Sequence, residues 1–348
     1  MTGTVSRHEL ARFVDDVFRR VGMSAAHASI MADALVWANL RGVDSHGVVR
    51  LPRYLEMIDE DLMNLRPQPK VSHPVPVGIV IEADRAPGPA ILTFAAEQLI
   101  ERASQYGMAM ALVGRMTHSG ALGYYTEKAA KAGLACIALN AGVLAAMPYH
   151  GARGAVMGTN PISIAVPGGD EPLLFDMATS AISMGKVMAA RRTGAPLEPG
   201  WAADQDGGPT TDAKAAAMVL PLGGPKGSGL AVMIECLASL LGGHPLIADA
   251  LLDTGEGSKH RQNALLIAID IAKFVDLTAF RAEVQRLTEA LKALPLAPGS
   301  DEILMPGERG YRTMKQRSEK GIPLPPALVA ELAAISARLQ LAPLMMIG

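Results

Sequence analysis

Asp44, Ser45, His46 and Arg50 fall within one short run, where an amphipathic helical pattern gives out. An imidazole gives or takes a proton near neutral pH, and a guanidinium forks onto a carboxylate. Together they suit a reaction at the carbon beside a carboxylate: one group holds the acid, the other moves the proton. The tetrapeptide Asp44-Ser45-His46-Gly47 is also a good N-cap and turn. Other segments must decide between these roles.

A second imidazole, His118, lies in Thr117-His118-Ser119-Gly120, between a strand pattern and a helix start. Such a junction offers backbone N–H groups to an anion, although a histidine there also serves as a cap or packing residue. Asp176 follows a strand pattern and suits either a helix cap or a ribose hydroxyl. Gly223-Gly224-Pro225-Lys226-Gly227-Ser228-Gly229 precedes an apolar helix and is the strongest phosphate-cradle candidate, combining a lysine with glycine-freed amides and a helix N-terminus. It does not match the Gly-x-x-x-x-Gly-Lys-Ser/Thr loop. No complete Gly-x-Gly-x-x-Gly occurs either, because Val232 stands where the dinucleotide fingerprint wants glycine or alanine, despite Asp249 downstream. His150, His244 and His260 lack second ligands at metal-binding spacing, so no metal is expected. No Gly-x-Ser-x-Gly elbow supports a serine nucleophile.

These groups need elements to hold them. Apolar spacing predicts helices over 6–21 and 24–40, the second stopped by Gly42, so that the 44–50 group hangs from a rigid helical pair. Four prolines make 65–76 an extended connector. An α/β pattern follows: strands at 75–82, 108–113, 134–139, 162–166, 173–175 and 265–271, and helices at 89–106, 121–132, 181–192, 229–241 and 277–294. Residues 298–326, rich in Pro, Gly and charge, should wrap the surface, and a last helix covers 327–339. Residues 1–75 with 295–348 are expected to form a helical substrate and dimerisation domain, and 76–294 a cofactor-binding α/β domain.

Composition narrows the class. The 348 residues are 49% hydrophobic with a formal net charge of −2, and no basic aromatic-interleaved stripe suggests nucleic acid. Cys136 and Cys236 read as free thiols of a reducing compartment. The longest apolar run, 230–241, is broken by Glu235 and is too short for a bilayer. The first residues carry Arg7, Glu9, Arg12, Asp15 and Asp16 and lack a signal-peptide core. A soluble cytoplasmic protein is expected. Thirty-five glycines and nineteen methionines suit close interfaces.

Taken in order, these motifs resemble the non-Rossmann malate/L-lactate dehydrogenase family, which includes ureidoglycolate and sulfolactate dehydrogenases and piperideine-2-carboxylate reductase. The resemblance spans nearly the whole chain. It rests on Arg41 to Gly47 with Arg50-Leu51-Pro52-Arg53-Tyr54, on His118-Ser119-Gly120, and on Met157-Gly158-Thr159-Asn160-Pro161-Ile162. Phe175 to Ser180, Gly200-Trp201-Ala202, Pro209 to Asp212, Leu220 to Gly227 and Met305-Pro306-Gly307-Glu308 complete it.

The resemblance implies an α/β fold whose NAD(P) domain has a mainly antiparallel sheet, flanked by a helical domain from both termini. It implies a homodimer with the active site between subunits. His46 would be the proton donor, supported by Ser45, with His118 the base of the ureidoglycolate branch. Arg50 would take the substrate carboxylate, with Tyr54 and Thr159 as further substrate contacts. Cofactor contacts would come from His118, Ser119, Gly120, Ala121 and Leu122, from Asp176, Met177 and Ala178, from Lys226 and Gly227, and from Pro306, Gly307 and Glu308. The implied reaction moves a hydride between NAD or NADP, NAD slightly favoured, and a small 2-hydroxy acid or 2-oxo acid. The alternative is reduction of a cyclic imine. Lys186, in Met184-Gly185-Lys186-Val187, matches the branches acting on C=O, whereas the imine branch carries an acid there. Arg191 and Arg192 are either partners for a 2′-phosphate or a solvated helix end.

Overall fold

A computed structural model describes residues 3–142, 145–254 and 261–347. The helix Arg7–Arg20 begins where Ser6 accepts the Glu9 N–H at 3.1 Å, and Leu10, Phe13, Val14, Val17 and Phe18 make its buried face. Side chains of this size stabilise by about 1.5–3 kcal/mol each when fully buried. Ser24 caps Ala25–Leu40 in the same way. Every residue of that helix from Ala34 to Leu40 is buried, as expected of a helix enclosed on all sides. It is the shared wall of two cores. On one side Met31, Leu35 and Leu40 pack with Leu10, Tyr54, Ile322, Leu324 and Leu332. On the other, Ala34, Trp37 and Ala38 join the central sheet and its helices. The strand Gly3–Val5 pairs antiparallel with Ile322–Leu324, so both ends of the described chain meet in the first core.

The central sheet runs in the order Lys70–Ser72, Gly78–Glu82, Met108–Met116, Gln262–Asp270, Leu134–Gly142, Ile162–Val166, Leu173–Met177. Gly78–Glu82 lies parallel to Met108–Met116, the two joined through the helix Gly88–Tyr106, while the other junctions are antiparallel. The sheet is therefore mixed. The α/β class stands, and the parallel crossover is what the expectation of a mainly antiparallel sheet did not contain. A register shift between Gln262 and Ala264 opens the Gln262–Asp270 strand at its start. Such irregularities re-aim a side chain.

Several elements differ from expectation. Residues 51–59, for which no element was expected, form the helix Leu51–Asp59 with Pro52 in its first turn, where the missing N–H costs nothing. The connector 65–76 contains the edge strand Lys70–Ser72. The supposed surface wrap 298–326 holds a helix, Glu308–Lys320, and the strand Ile322–Leu324. The helix expected over 229–241 starts at Pro225, runs to Glu235 and loosens into a π turn over Cys236–Leu240. A third core around Met147, Met157, Ile182, Val187 and Val219 carries a small sheet of two-residue strands, too short to show any period. His260 lies outside the described residues.

Candidate active site

The His46 turn hangs from the end of the Ala25–Leu40 helix. Asn39, in the last turn, donates from Nδ2 to Asp44 Oδ1 at 2.8 Å and accepts the Val48 N–H at 2.8 Å. Gly47 must be glycine here, because a Cβ would sit 2.3 Å from the Asn39 carboxamide oxygen. Asp44 is braced from outside the turn by Arg317, whose two terminal nitrogens reach its carboxylate at 2.7 and 3.0 Å. Asp44 therefore positions the loop. Within it, Ser45 Oγ lies 3.0 Å from His46 Nδ1, and Arg50 Nε donates to the Ser45 carbonyl at 2.7 Å. That bond orients the guanidinium and leaves its two terminal nitrogens without a partner among the described residues. Burial, with the Arg50 charge adding to it, brings the His46 pKa down to about 4.

His118 comes from the opposite side, on the turn between Met108–Met116 and the helix Gly123–Lys131. Its ring stacks on His46 with centroids 5.6 Å apart and planes 23° apart. Its Nδ1 lies 2.8 Å from the Tyr54 hydroxyl and accepts the Gly120 N–H at 3.2 Å. Burial first, then the Arg50 charge and His46, hold the His118 pKa well below the usual histidine range. Two residues outside the sequence-derived set fix this turn. A Cβ at Gly88 would fall 2.1 Å from the His118 carbonyl, so only glycine lets that helix start approach. Gln262 Oε1 accepts the Ser119 N–H at 2.8 Å and Asn140 Nδ2 at 3.2 Å, tying the turn to the sheet. The Asn140 Oδ1 beside it is buried and unpartnered.

Tyr54, expected at the substrate, is buried at 1% exposure with its hydroxyl committed to His118. The cofactor-side segments form a chain of contacts. Asp176 Oδ2 accepts the Gly123 N–H at 2.7 Å, just beyond His118, Ser119, Gly120, Ala121 and Leu122. Although Asp176 is exposed as a residue, desolvation of its carboxyl raises its pKa to about 6, against the pull of Gly123 and Arg41. Leu174, on the same strand, donates its N–H to the Pro306 carbonyl at 3.1 Å. Gly307, at φ 88°, packs against Leu174, and its carbonyl accepts from buried Arg41 at 3.1 Å. Glu308 is less available than expected. Lys292 holds both its oxygens at 2.6 and 2.7 Å, Arg312 and the Met305 N–H add to them, and its pKa falls to about 2.

Thr159 and Lys226 lie in a second group, stitched together by Thr179. The Thr159 carbonyl accepts both the N–H and the hydroxyl of Thr179 at 2.9 Å. A Cβ at Gly227 would lie 2.4 Å from the Thr179 carbonyl. The amides of this turn are not free: the N–H groups of Lys226, Gly227 and Ser228 donate to the carbonyls of Gly223, Leu222 and Gly224. The cradle expected from glycine-freed amides thus narrows to the exposed Lys226 ammonium, which has no partner among the described residues. Arg191 Nε donates to the Ala213 carbonyl at 2.7 Å, and its Nη2 is held by the Ala216 carbonyl. The 183–186 turn touches the site, since a Cβ at Gly185 would stand 3.0 Å from Ser45 Cβ.

The arrangement presents a guanidinium fork and two neutral imidazoles, with the Asp176 carboxyl just beyond the His118 turn and the Lys226 ammonium in the second group. Sequence reasoning missed Asn39, Gly88, Gln262 and Arg317. Of these only Gly88, beside Pro89 at a helix start, carried a local signal.

Comparison with known proteins identifies the family. The family profile described as malate/L-lactate dehydrogenase matches residues 5–333. An NAD(+) ureidoglycolate dehydrogenase from Escherichia coli O157:H7 is 34% identical over 322 residues, covering 91% of each chain. A Delta(1)-pyrroline-2-carboxylate reductase from Ancylobacter novellus is 32% identical, covering 95% of this chain and 96% of that one. The solved structure of sulfolactate dehydrogenase from Methanocaldococcus jannaschii superposes with a TM-score of 0.88 at 32% identity, covering 98% of each chain. With the motifs in order, the fold shared end to end and the family profile spanning almost the whole sequence, this chain belongs to the malate/L-lactate dehydrogenase family.

Proposed function

We propose that the protein is an NAD(P)-dependent oxidoreductase that moves a hydride between nicotinamide and a small 2-hydroxy acid or 2-oxo acid. The observation that carries this reading is the Arg50 fork, oriented by Ser45 and otherwise unpartnered among the described residues, beside the stacked imidazoles of His46 and His118. A planar guanidinium matches a carboxylate in two parallel bonds. It would place the neighbouring carbon against the imidazoles. In oxidation His46 takes the hydroxyl proton; in reduction it returns one to the nascent alcohol, with Ser45 supporting the ring.

The residues present fit a dinucleotide. The buried, orphaned Asn140 Oδ1 is an acceptor in want of a donor, one side chain from the His118 turn. Lys226 would meet phosphate, Asp176 a ribose hydroxyl, and the 118–122 and 306–308 turns would flank the rest. When bound, the nicotinamide supplies the hydride acceptor or donor. NAD is favoured, because Arg191 is committed to backbone carbonyls and is poorly placed to read a 2′-phosphate.

Residues 1–75 with 295–348 serve in this reading as the substrate and dimerisation domain, and 76–294 as the cofactor domain. A second copy is the expected partner. On the cofactor domain Met233, Leu237, Leu240 and Leu241 are exposed at helical spacing, with Leu251 and Leu252 also exposed, so that domain too offers apolar surface to a second copy. Sedimentation should show twice the chain mass. Among the described residues no helix is long and apolar enough to cross a membrane, and no cluster of His, Cys, Asp and Glu is set to hold a metal. Two free cysteines suit the cytoplasm.

The test is absorbance of reduced nicotinamide against a panel of 2-oxo acids, with and without methylamine. Turnover of 2-oxo acids alone is the expected result. Turnover only with amine would transfer the reading to imine reduction, and none at all would overturn both.

A further inference from the structure

We propose that Tyr54 and the Gly120 N–H lock His118 as a neutral imidazole with its proton on Nε2, so that His118 holds the substrate oxygen by donation and His46 alone moves the proton. The division of labour rests on the hydroxy-acid reading above; the lock itself rests only on geometry. A backbone N–H can donate and cannot accept. Because the Gly120 N–H points at His118 Nδ1 from 3.2 Å, that nitrogen must present its lone pair. The Tyr54 hydroxyl at 2.8 Å is then a second donor to the same atom, and the single proton of the neutral ring sits on Nε2. Protonating Nδ1 would set N–H against N–H and force the buried Tyr54 hydroxyl to turn.

The groups facing His118 oppose a cation from every side. Arg50 contributes a positive charge, and His46, stacked on the ring, can only add another. Gly88 and Gln262 contact the backbone of the turn, and among the described residues the charges acting on the ring are those of Arg50 and His46, with no carboxylate to reward protonation. His46 is built differently. Its Nδ1 meets the Ser45 hydroxyl, which donates or accepts by rotating, so the ring can change protonation state without losing its partner. In oxidation the hydroxyl proton therefore passes to His46, and His118 keeps its own proton throughout. Tyr54 is a positioning residue, acting through His118.

The experiment uses the full-length protein with 15N-labelled histidine, read by long-range 1H–15N correlation without substrate. His118 is assigned by the signal lost in His118→Gln. The expected result is a pyridine-type Nδ1 and a pyrrole-type Nε2 that do not titrate between about pH 5 and 9. In Tyr54→Phe, His118 should begin to titrate within that window or show both tautomers. A wild-type Nδ1–H, or a wild-type titration near the ordinary histidine value, would overturn the lock. An unchanged signal in Tyr54→Phe would overturn the part given to Tyr54. If that variant does not fold, the wild-type spectrum still decides the lock. Because no turnover is needed, failure of the lock and failure of the oxidoreductase reading are separate results.

Discussion

The two imidazoles sit face to face, yet the turns that carry them follow opposite designs. The His46 turn is held from behind by side chains, Asn39, Asp44 and Arg317, and its histidine meets a rotatable hydroxyl. The His118 turn is held through its own backbone, by close approach to Gly88, by the Ser119 N–H on the Gln262 side chain and by the Gly120 N–H on the ring itself. A hydroxyl partner tolerates both protonation states, whereas an amide partner permits one. Rings of the same chemical type at one site are thus given different work by the atoms behind them, a distinction that residue identity alone does not reveal.

The comparison breaks most sharply at His46. His46→Ala should lower kcat by about 10² to 10⁴, the usual worth of general acid–base help. His118→Ala should act mainly on KM. Equal losses of kcat in both variants would erase the contrast.

Oxidation should also keep a neutral base well into acid. The His46 pKa is depressed to about 4, so the basic form persists above that pH and the rate falls as pH drops through it. Reduction, which needs the protonated ring, should rise over the same range. Arg50→Gln removes a positive neighbour and should move this limb upward, toward the ordinary histidine value; a limb that stays put would detach Arg50 from His46.

Arg50→Lys keeps the charge and loses the fork. KM should rise about tenfold to a hundredfold, the equivalent of about 1.5–3 kcal/mol for charged hydrogen bonds. An unchanged KM for every acid turned over would take Arg50 out of the site.

Lys226→Ala should weaken cofactor binding about fivefold, roughly 1 kcal/mol, by fluorescence titration, with little change in thermal stability. Equal affinity would reduce that turn to a helix start. The smallest effect belongs to Arg317→Ala. Its pair with Asp44 is half-exposed on the acidic side, so stability by urea unfolding should fall by only about 0.2–1 kcal/mol. Turnover should fall by less than about tenfold, and a larger loss would make Arg317 part of the chemistry.

His46, Arg50 and His118 were legible because each carries reactive atoms inside a turn marked by its own glycine. Their supports were not legible, because Gln262 reaches Ser119 across 143 residues and Arg317 reaches Asp44 across 273. Tyr54 was expected at the substrate from the family motif it shares with Arg50, and only the packing shows its hydroxyl turned to His118. The main helices and strands announced themselves through apolar spacing. The helix Glu308–Lys320 did not, since none of its residues is fully buried and only Tyr311 and Met314 mark its inner side among polar and charged neighbours. Leu51–Asp59 was hidden by its shortness and by Pro52.

The pairing of Gly3–Val5 with Ile322–Leu324 has a consequence for how the chain is made. Synthesis delivers the first strand long before its partner, and the Arg50 turn long before Arg317. A nascent chain can assemble the central sheet while the core on the other side of the Ala25–Leu40 helix still lacks Ile322, Leu324 and Leu332. The His46 turn gains its brace only when the final segment emerges. Fragments that end before Arg317 should then retain the central sheet and lose the brace on Asp44, so the His46 turn is supported later than the sheet it faces.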